Sequence, residues 1–140
     1  MAKQHLEIEQ RWLLEQLPPE EILEHHLTDR RNYHTGYLWT GDPELRVRQS
    51  YVVAGPKTGR SFFSMTLKFG EGRERDEFIY DISDRFFIEK MKLAAASLLK
   101  TRYRVKVAGV VLEFDRFTGF EKPPDSQLFL AEIELERLDQ

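Results

Sequence analysis

The sequence predicts a mainly β protein with a few helices (α+β class), in which eight antiparallel strands close into a barrel with a polar, charged interior and helices packed outside. Apolar and charged residues alternate with a period of two over most of the chain. The segments between these stretches are short and rich in Gly, Pro, Asp and Ser, which is typical of turns between antiparallel strands. Eight strands are enough to close a barrel.

Length and composition limit what the protein can be. The chain has 140 residues, and we assign residues 1–140 to a single domain. A net charge of -3 counts against a nucleic-acid polymer as partner. The absence of cysteine excludes disulfides and thiol chemistry. No stretch is apolar and long enough for a signal peptide or a membrane span, so we expect a cytoplasmic protein with no membrane partner.

The predicted elements follow one another along the chain. The first strand covers residues 5–14, and a short helix begins after Pro18 and Pro19. Ser83 is a candidate N-cap for a second helix over residues 84–100, a stretch that is rich in Ala and Leu. The remaining strands are predicted at residues 30–39, 45–53, 62–69, 75–82, 100–107, 110–117 and 128–138.

One face of the predicted sheet carries charges that are sorted by strand. The first and last strands are acidic apart from Arg11, whereas three strands between them carry only basic residues among their charges. A sheet with one face in water is the simplest alternative, but that alternative predicts mixed charges on the wet face. Arginine predominates over lysine on the basic strands, which suits oxygen-rich ligands such as phosphate.

The acidic residues would come together if the first strand paired with the last. Four crowded carboxylates, Glu7, Glu9, Glu132 and Glu134, would repel one another unless a divalent cation neutralised them. Ligation by oxygen alone favours Mg²⁺ or Mn²⁺ over zinc. Because a metal ion beside an arginine-rich wall suits a polyphosphate, we expect such a ligand inside the barrel.

Short motifs in a fixed order resemble one known family. The segments EIEQR, RVR, TLK, KTRY, EFD and AEIELE follow one another as they do in the CYTH family, also called triphosphate tunnel metalloenzymes. The resemblance implies an eight-stranded tunnel that binds a small-molecule triphosphate, activity dependent on Mg²⁺ or Mn²⁺, and a monomer or homodimer. Members of this family include inorganic, thiamine and RNA triphosphatases and class IV adenylate cyclases.

The resemblance also implies roles for individual residues. The implied metal ligands are Glu7, Glu9, Glu132 and Glu134. The implied phosphate-binding residues are Arg46, Arg48, Lys68, Arg75, Arg102 and Arg104. The implied catalytic residues are Arg11, Lys68, Glu77 and Asp115. Arg11 stands where the family has lysine, Ile79 stands where an acid is common, and the segment after the last strand is short, and these departures count against efficient turnover.

We therefore expect a metal-dependent phosphoanhydride hydrolase whose substrate is inorganic tripolyphosphate. A class IV-type adenylate cyclase is the enzymatic alternative, and it would need a base-binding pocket that the sequence does not locate. A polyphosphate- or nucleotide-binding module with little turnover is an alternative of a different class. The plainest alternative is an ordinary sheet with one face in water that binds another protein.

Overall fold

The computed structural model describes residues 3–72, 74–118 and 128–134, with side chains described at residues 10–72, 74–118 and 129–133. Its elements are β1 (Lys3–Leu14), α1 (Glu20–His25), β2 (Leu27–Trp39), β3 (Glu44–Ala54), β4 (Ser61–Phe69), β5 (Glu74–Asp81), α2 (Asp84–Met91), β6 (Ala96–Val107), β7 (Val110–Thr118) and β8 (Leu128–Glu134). The predicted end of the last strand, residues 135–138, lies outside the described residues. Within the described residues, neither helix has the length and apolar character needed to cross a lipid bilayer.

The eight strands form one antiparallel sheet, as the alternating pattern predicts. The strand order is β1-β5-β4-β3-β2-β6-β7-β8, and the order is circular because β1 also pairs with β8. Strand β1 divides its length between its two neighbours: residues 3–8 pair with β5, and residues 9–14 pair with β8. Among the described pairings, no residue of β1 is therefore paired on both sides.

Alternation along each strand produces two different faces. On β6, Arg102 and Arg104 lie on the face that also carries Asp115 of β7, and we call this the charged face. Tyr103 and Val105 lie on the opposite face, where they are buried against Leu23 of α1. Helix α1 thus covers apolar residues of one face and leaves the charged face of the same strands uncovered.

Helix α2 is shorter than predicted. Ser83 caps the helix as expected, because its hydroxyl accepts a hydrogen bond from the backbone N–H of Phe86 at 3.0 Å. The helix ends at Met91, however, and the chain enters β6 at Ala96, so the predicted helix over residues 92–100 is wrong. Residues 96–100 pair with β2, and this ladder outweighs the helix propensity of their Ala and Leu residues.

Gly36 lets α2 pack closely against β2. A Cβ atom added at Gly36 would collide with the sulfur of Met91 and would lie 3.2 Å from the Cβ of Ala94. The segment that follows α2 is also fixed to β2, because the backbone N–H of Ala95 donates to the carbonyl of Tyr37 at 2.9 Å. A side chain at this position would therefore have to displace the Met91 side chain and press on Ala94.

We predict that Gly36→Ala lowers the free energy of unfolding by about 1–3 kcal/mol, because overpacking forces the helix away from the sheet. Urea unfolding measures the loss. In a Met91→Ala background the same Gly36→Ala change should cost clearly less, because the colliding side chain is gone. An equal cost in both backgrounds would show that packing against Met91 is not the reason for glycine.

Candidate anion-binding site

The charged face encloses a small cavity of about 90 Å³ that is lined by side chains from several strands. Its lining includes six residues to which the sequence assigned roles: Arg11, Arg46, Lys68, Arg75, Asp115 and Glu132. Five further lining residues received no role from the sequence: Tyr37, Glu44, Lys100, Phe117 and Leu130. The structure therefore brings six of the thirteen predicted site residues to one cavity and adds five others to its lining.

Arg102 is the centre of the carboxylate-rich part of this face. Its Nε and Nη2 atoms donate to the two carboxylate oxygens of Asp115 at 2.7 and 2.8 Å. Nη2 also donates to Glu132 at 3.0 Å, and Nη1 lies 3.2 Å from an oxygen of Glu113. Burial lowers the pKa of Arg102, but these carboxylates, led by Asp115, raise it well above its usual value. The guanidinium is thus permanently charged and held in one orientation.

Among the carboxylates whose side chains the structure describes, Asp115 is the most deeply buried, with 1% of its surface exposed. Burial raises the pKa of Asp115, but the hydrogen bonds and charge of Arg102 lower it below the ordinary value. Asp115 also accepts a hydrogen bond from Lys100 Nζ at 3.4 Å. Asp115 therefore holds the cationic groups of Arg102 and Lys100 in place.

Two glutamates on neighbouring strands stand directly opposite each other. Glu113 of β7 pairs in register with Glu132 of β8, and arginines separate their charges. Glu132 is 5% exposed and contacts both Arg11 and Arg102. Glu113 accepts a hydrogen bond from Arg104 Nη2 at 3.1 Å. The carboxylates of Glu113 and Glu132 are therefore neutralised by arginine side chains.

The arginines that β3 and β5 place on the charged face are not paired with carboxylates as closely as Arg102 is. The Nε atoms of Arg46, Arg48 and Arg75 are buried and have no hydrogen-bond partner in the described part of the chain. Arg46 and Arg75 approach Glu44 only at 3.6 and 3.8 Å. Burial and the neighbouring charges of Arg46 and Arg102 lower the pKa of Arg48 to about 9. Buried donors without partners are costly, and an anion in the cavity would supply the missing acceptors.

Lys68 and Glu77 form a buried pair between β4 and β5. Their side chains are 3% and 8% exposed, and Lys68 Nζ lies 3.3 Å from Glu77 Oε2. The two residues are directly opposite each other in the ladder. Lys68 also lines the cavity, so its ammonium group reaches both the carboxylate and the cavity.

Lys100 and Tyr33 belong to the site, although the sequence analysis assigned them no role. Lys100 Nζ lies 5.4 Å from the centre of the Tyr33 ring, and Arg48 Cζ lies 4.7 Å from the same ring. Burial and the charge of Arg102 lower the pKa of Lys100 to about 7, although Asp115 opposes this shift. Lys100 begins the strand predicted over residues 100–107 and stands two residues before Arg102, so alternation along that strand could have placed it on the charged face.

The predicted metal site rests partly on side chains outside the described set, those of Glu7, Glu9 and Glu134. In the backbone register, Glu9 is directly opposite Glu134, and Arg11 is directly opposite Glu132. The donors are all carboxylates, a set that fits Mg²⁺ or Mn²⁺. Among the side chains that are described, no three His, Cys, Asp or Glu residues are placed to hold a metal ion.

No protein-family model and no curated protein matches this chain, but several solved structures are similar to it. The crystal structure of the inorganic triphosphatase NE1496 is similar, with 28% identity and a TM-score of 0.58 over 94% of this chain and 77% of that chain. A Bacillus halodurans protein assigned as an adenylate cyclase is 13% identical, with a TM-score of 0.59 over 97% of this chain and 83% of its own. The Hippeastrum protein HpAC1, whose dominant activity is that of a triphosphatase, is 15% identical. Its TM-score is 0.57 over 95% of this chain and 81% of the HpAC1 chain.

These similarities confirm the family resemblance that the sequence motifs indicated. The chain has the fold of the CYTH family, the triphosphate tunnel metalloenzymes. The presence of an inorganic triphosphatase among the similar structures supports triphosphate hydrolysis at the level of the family.

We predict that Asp115→Ala lowers the free energy of unfolding by about 3–5 kcal/mol, because it leaves the buried charges of Arg102 and Lys100 without their main partner. Chemical unfolding measures the loss. Asp81→Ala is the matched control, because Asp81 is an exposed acid on β5 and its removal should change the stability by less than about 0.5 kcal/mol. A similar loss in both variants would contradict a special role for Asp115.

The pH dependence of stability should report the same contact. Because the pKa of Asp115 is lowered in the folded state, its contribution is present above the unfolded value of about 3.9 and is lost as the pH falls through the folded value. We therefore expect the wild type to lose more stability than Asp115→Ala over that acidic range. Unfolding curves recorded from neutral to acidic pH compare the two proteins, and parallel curves would contradict the assignment.

Proposed function

We propose that the chain hydrolyses inorganic tripolyphosphate with the help of Mg²⁺ or Mn²⁺, inside a tunnel that the eight strands form around the charged face. The observation that carries the proposal is that the buried Nε atoms of Arg46, Arg48 and Arg75 have no hydrogen-bond partner among the described residues. A buried donor without an acceptor costs about 1–3 kcal/mol, and an oxygen-rich anion relieves that cost at all three positions. The circular order of strand pairing supports the tunnel.

The size of the cavity favours an inorganic substrate over a nucleotide. Its volume is about 90 Å³, whereas sites for organic ligands of drug size are typically about 300–1,000 Å³. Most of its lining consists of charged side chains, with Tyr37, Phe117 and Leu130 as exceptions. The similarity to an inorganic triphosphatase supports the same choice. An adenylate cyclase would need a base-binding pocket, and the residues around this cavity do not supply one.

The basic residues would bind the phosphates. Arg46, Arg48 and Arg75 would donate hydrogen bonds to phosphate oxygens, and Lys68 and Lys100 would add positive charge. Arg102 would act by a different route, since its guanidinium is already held by carboxylates. We assign it to neutralising Asp115, Glu113 and Glu132, so that the acidic strands do not repel the substrate.

The acidic strands would hold the metal ion. We assign the ligands to Glu7, Glu9, Glu132 and Glu134, with Arg11 balancing the charge of Glu132. A bound divalent ion would neutralise phosphate oxygens and these carboxylates at the same time. Water would add to the terminal phosphorus, the bridging P–O bond would break, and the products would be orthophosphate and pyrophosphate. The cationic side chains would stabilise the charge that develops on the oxygens.

The decisive experiment measures phosphate release from tripolyphosphate with Mg²⁺, with Mn²⁺ and with a chelator, in parallel with ATP. We expect metal-dependent release from tripolyphosphate and much less from ATP. Release of pyrophosphate from ATP would favour the cyclase instead. Calorimetric binding of tripolyphosphate without turnover would favour a binding module and overturn the hydrolase.

We predict that Arg48→Gln lowers kcat/KM for tripolyphosphate by about 10- to 100-fold, the effect of losing a hydrogen bond to a charged group. The variant should be at least as stable as the wild type, because Arg48 is buried beside Arg46 and Arg102. Steady-state kinetics and thermal unfolding measure the two effects. Arg60→Gln is the control, because Arg60 is exposed and does not line the cavity. Unchanged kinetics in Arg48→Gln would remove Arg48 from the site.

We predict that Lys100 takes up a proton when tripolyphosphate binds above pH 7. The free group has a pKa of about 7, so it is largely neutral at pH 8, and a bound anion would favour its charged form. The groups that face Lys100 are Tyr33, Arg46, Arg48, Arg102, Asp115 and Phe117. Calorimetric titration at pH 8 in buffers of different ionisation enthalpy measures the proton exchange. Lys100→Arg should show less uptake than the wild type, and equal uptake would contradict this assignment.

A further inference from the structure

A second and larger cavity lies on the face of the sheet opposite the charged face. Its volume is about 540 Å³, and it is bounded by the sheet, by Leu17 in the segment that leads into α1, and by Leu23 of α1. Four of its residues form a row of directly opposite neighbours across four strands: Asn32 of β2, Thr101 of β6, Arg116 of β7 and Phe129 of β8. The cavity therefore has a floor that is fixed by the strand register.

This cavity is separate from the proposed triphosphate site. Thr101 lies between Lys100 and Arg102, which belong to the charged face, and successive residues of a strand point to opposite faces. Arg116 likewise follows Asp115 of the charged face. Neither Thr101 nor Arg116 lines the smaller cavity. A ligand here would use different side chains from the triphosphate.

Two arginines line the larger cavity without a carboxylate partner in the described part of the chain. The Nε atom of Arg116 is buried and has no hydrogen-bond partner there. The guanidinium of Arg30 lies 5.9 Å from the centre of the Tyr103 ring, and this is its only polar or aromatic contact among the described residues. An arginine that served only to stabilise the fold would be expected to find an acceptor for its buried donor. The pair is therefore available to an anion.

Apart from Pro18 and the acidic Glu20, the remaining lining suits the body of an organic molecule. Leu17, Leu23, Val53, Tyr103 and Phe129 supply apolar and aromatic surface. The carbonyl oxygen of the Asn32 side chain accepts a hydrogen bond from the hydroxyl of Thr101 at 2.9 Å, which leaves the amide N–H groups of Asn32 as donors. The volume lies within the range of about 300–1,000 Å³ that is typical of small-molecule sites.

We propose that this cavity binds a small organic anion. Its phosphate or carboxylate group pairs with Arg116 and Arg30, and its flat apolar body packs against Tyr103 and Phe129. Inorganic phosphate is a poor occupant, because it would leave the apolar part of the wall uncovered. This site does not depend on the proposed hydrolase activity, since it lies on the other face of the sheet.

The test is a calorimetric titration of the full chain with two aromatic probes, 1-naphthyl phosphate and 1-naphthoate, and with inorganic phosphate as the comparison. Tripolyphosphate is present at saturation in one series, so that the charged face is occupied. We expect at least one aromatic probe to bind more tightly than inorganic phosphate, and we expect tripolyphosphate not to compete with it. The tighter probe identifies the preferred anionic group. Failure of both probes to bind, or their displacement by tripolyphosphate, overturns the proposal.

Substitutions of the two arginines test whether the probe binds in this cavity. Arg116→Gln and Arg30→Gln should each weaken the tighter probe by about tenfold or more, as expected for loss of a hydrogen bond to a charged group. Arg60→Gln is the matched control on the exposed surface and should bind as the wild type does. Two variants guard against one that fails to fold, and circular dichroism checks both. Unchanged binding in a folded Arg116→Gln or Arg30→Gln variant, or equal weakening in Arg60→Gln, contradicts the assignment.

Discussion

The contact of Arg102 with three carboxylates is the interaction on which the charged face depends. One guanidinium from β6 reaches Asp115 and Glu113 on β7 and Glu132 on β8. Without it, the acids of two neighbouring strands would face one another in a space from which water is largely excluded. The contact therefore allows strands that carry like charges to be neighbours, and it fixes the position of each carboxylate.

Among the described residues, the same contact leaves the buried Nε atoms of Arg46 and Arg48 without a hydrogen-bond acceptor. Glu113, Asp115 and Glu132 are engaged by Arg102, Arg104 and Arg11, so they do not serve Arg46 and Arg48 of β3. The site consequently has one part whose carboxylates are paired with arginines and one part whose buried donors the proposed anion would satisfy. Side chains held in this way need little rearrangement when the anion arrives, which favours binding and stabilisation of developing charge.

The sequence predicts the strands well because their alternation has a period of two, and a residue such as Arg46 or Asp115 can be placed on the charged face by counting along its strand. It gives Lys100 no role, because Lys100 is where the predicted helix and the predicted strand meet, and only the pairing of residues 96–100 with β2 places it within a strand. Tyr33 is missed because its role depends on cations brought from other strands. The cavity beside Arg116 requires the register of four strands, which local pattern does not contain.

The way in which β1 divides its pairing has a consequence for how the chain folds. Its ladder with β8 joins residues as distant in sequence as Glu9 and Glu134, whereas β3, β4 and β5 are joined by short connections. Contacts between distant residues cost more chain entropy before they are stabilised, so this ladder is expected to form late and slowly. The glutamates assigned to the metal ion lie on the same two strands. Metal binding and the slowest step of folding would thus be coupled, and a divalent ion would act on the rate of folding as well as on the reaction.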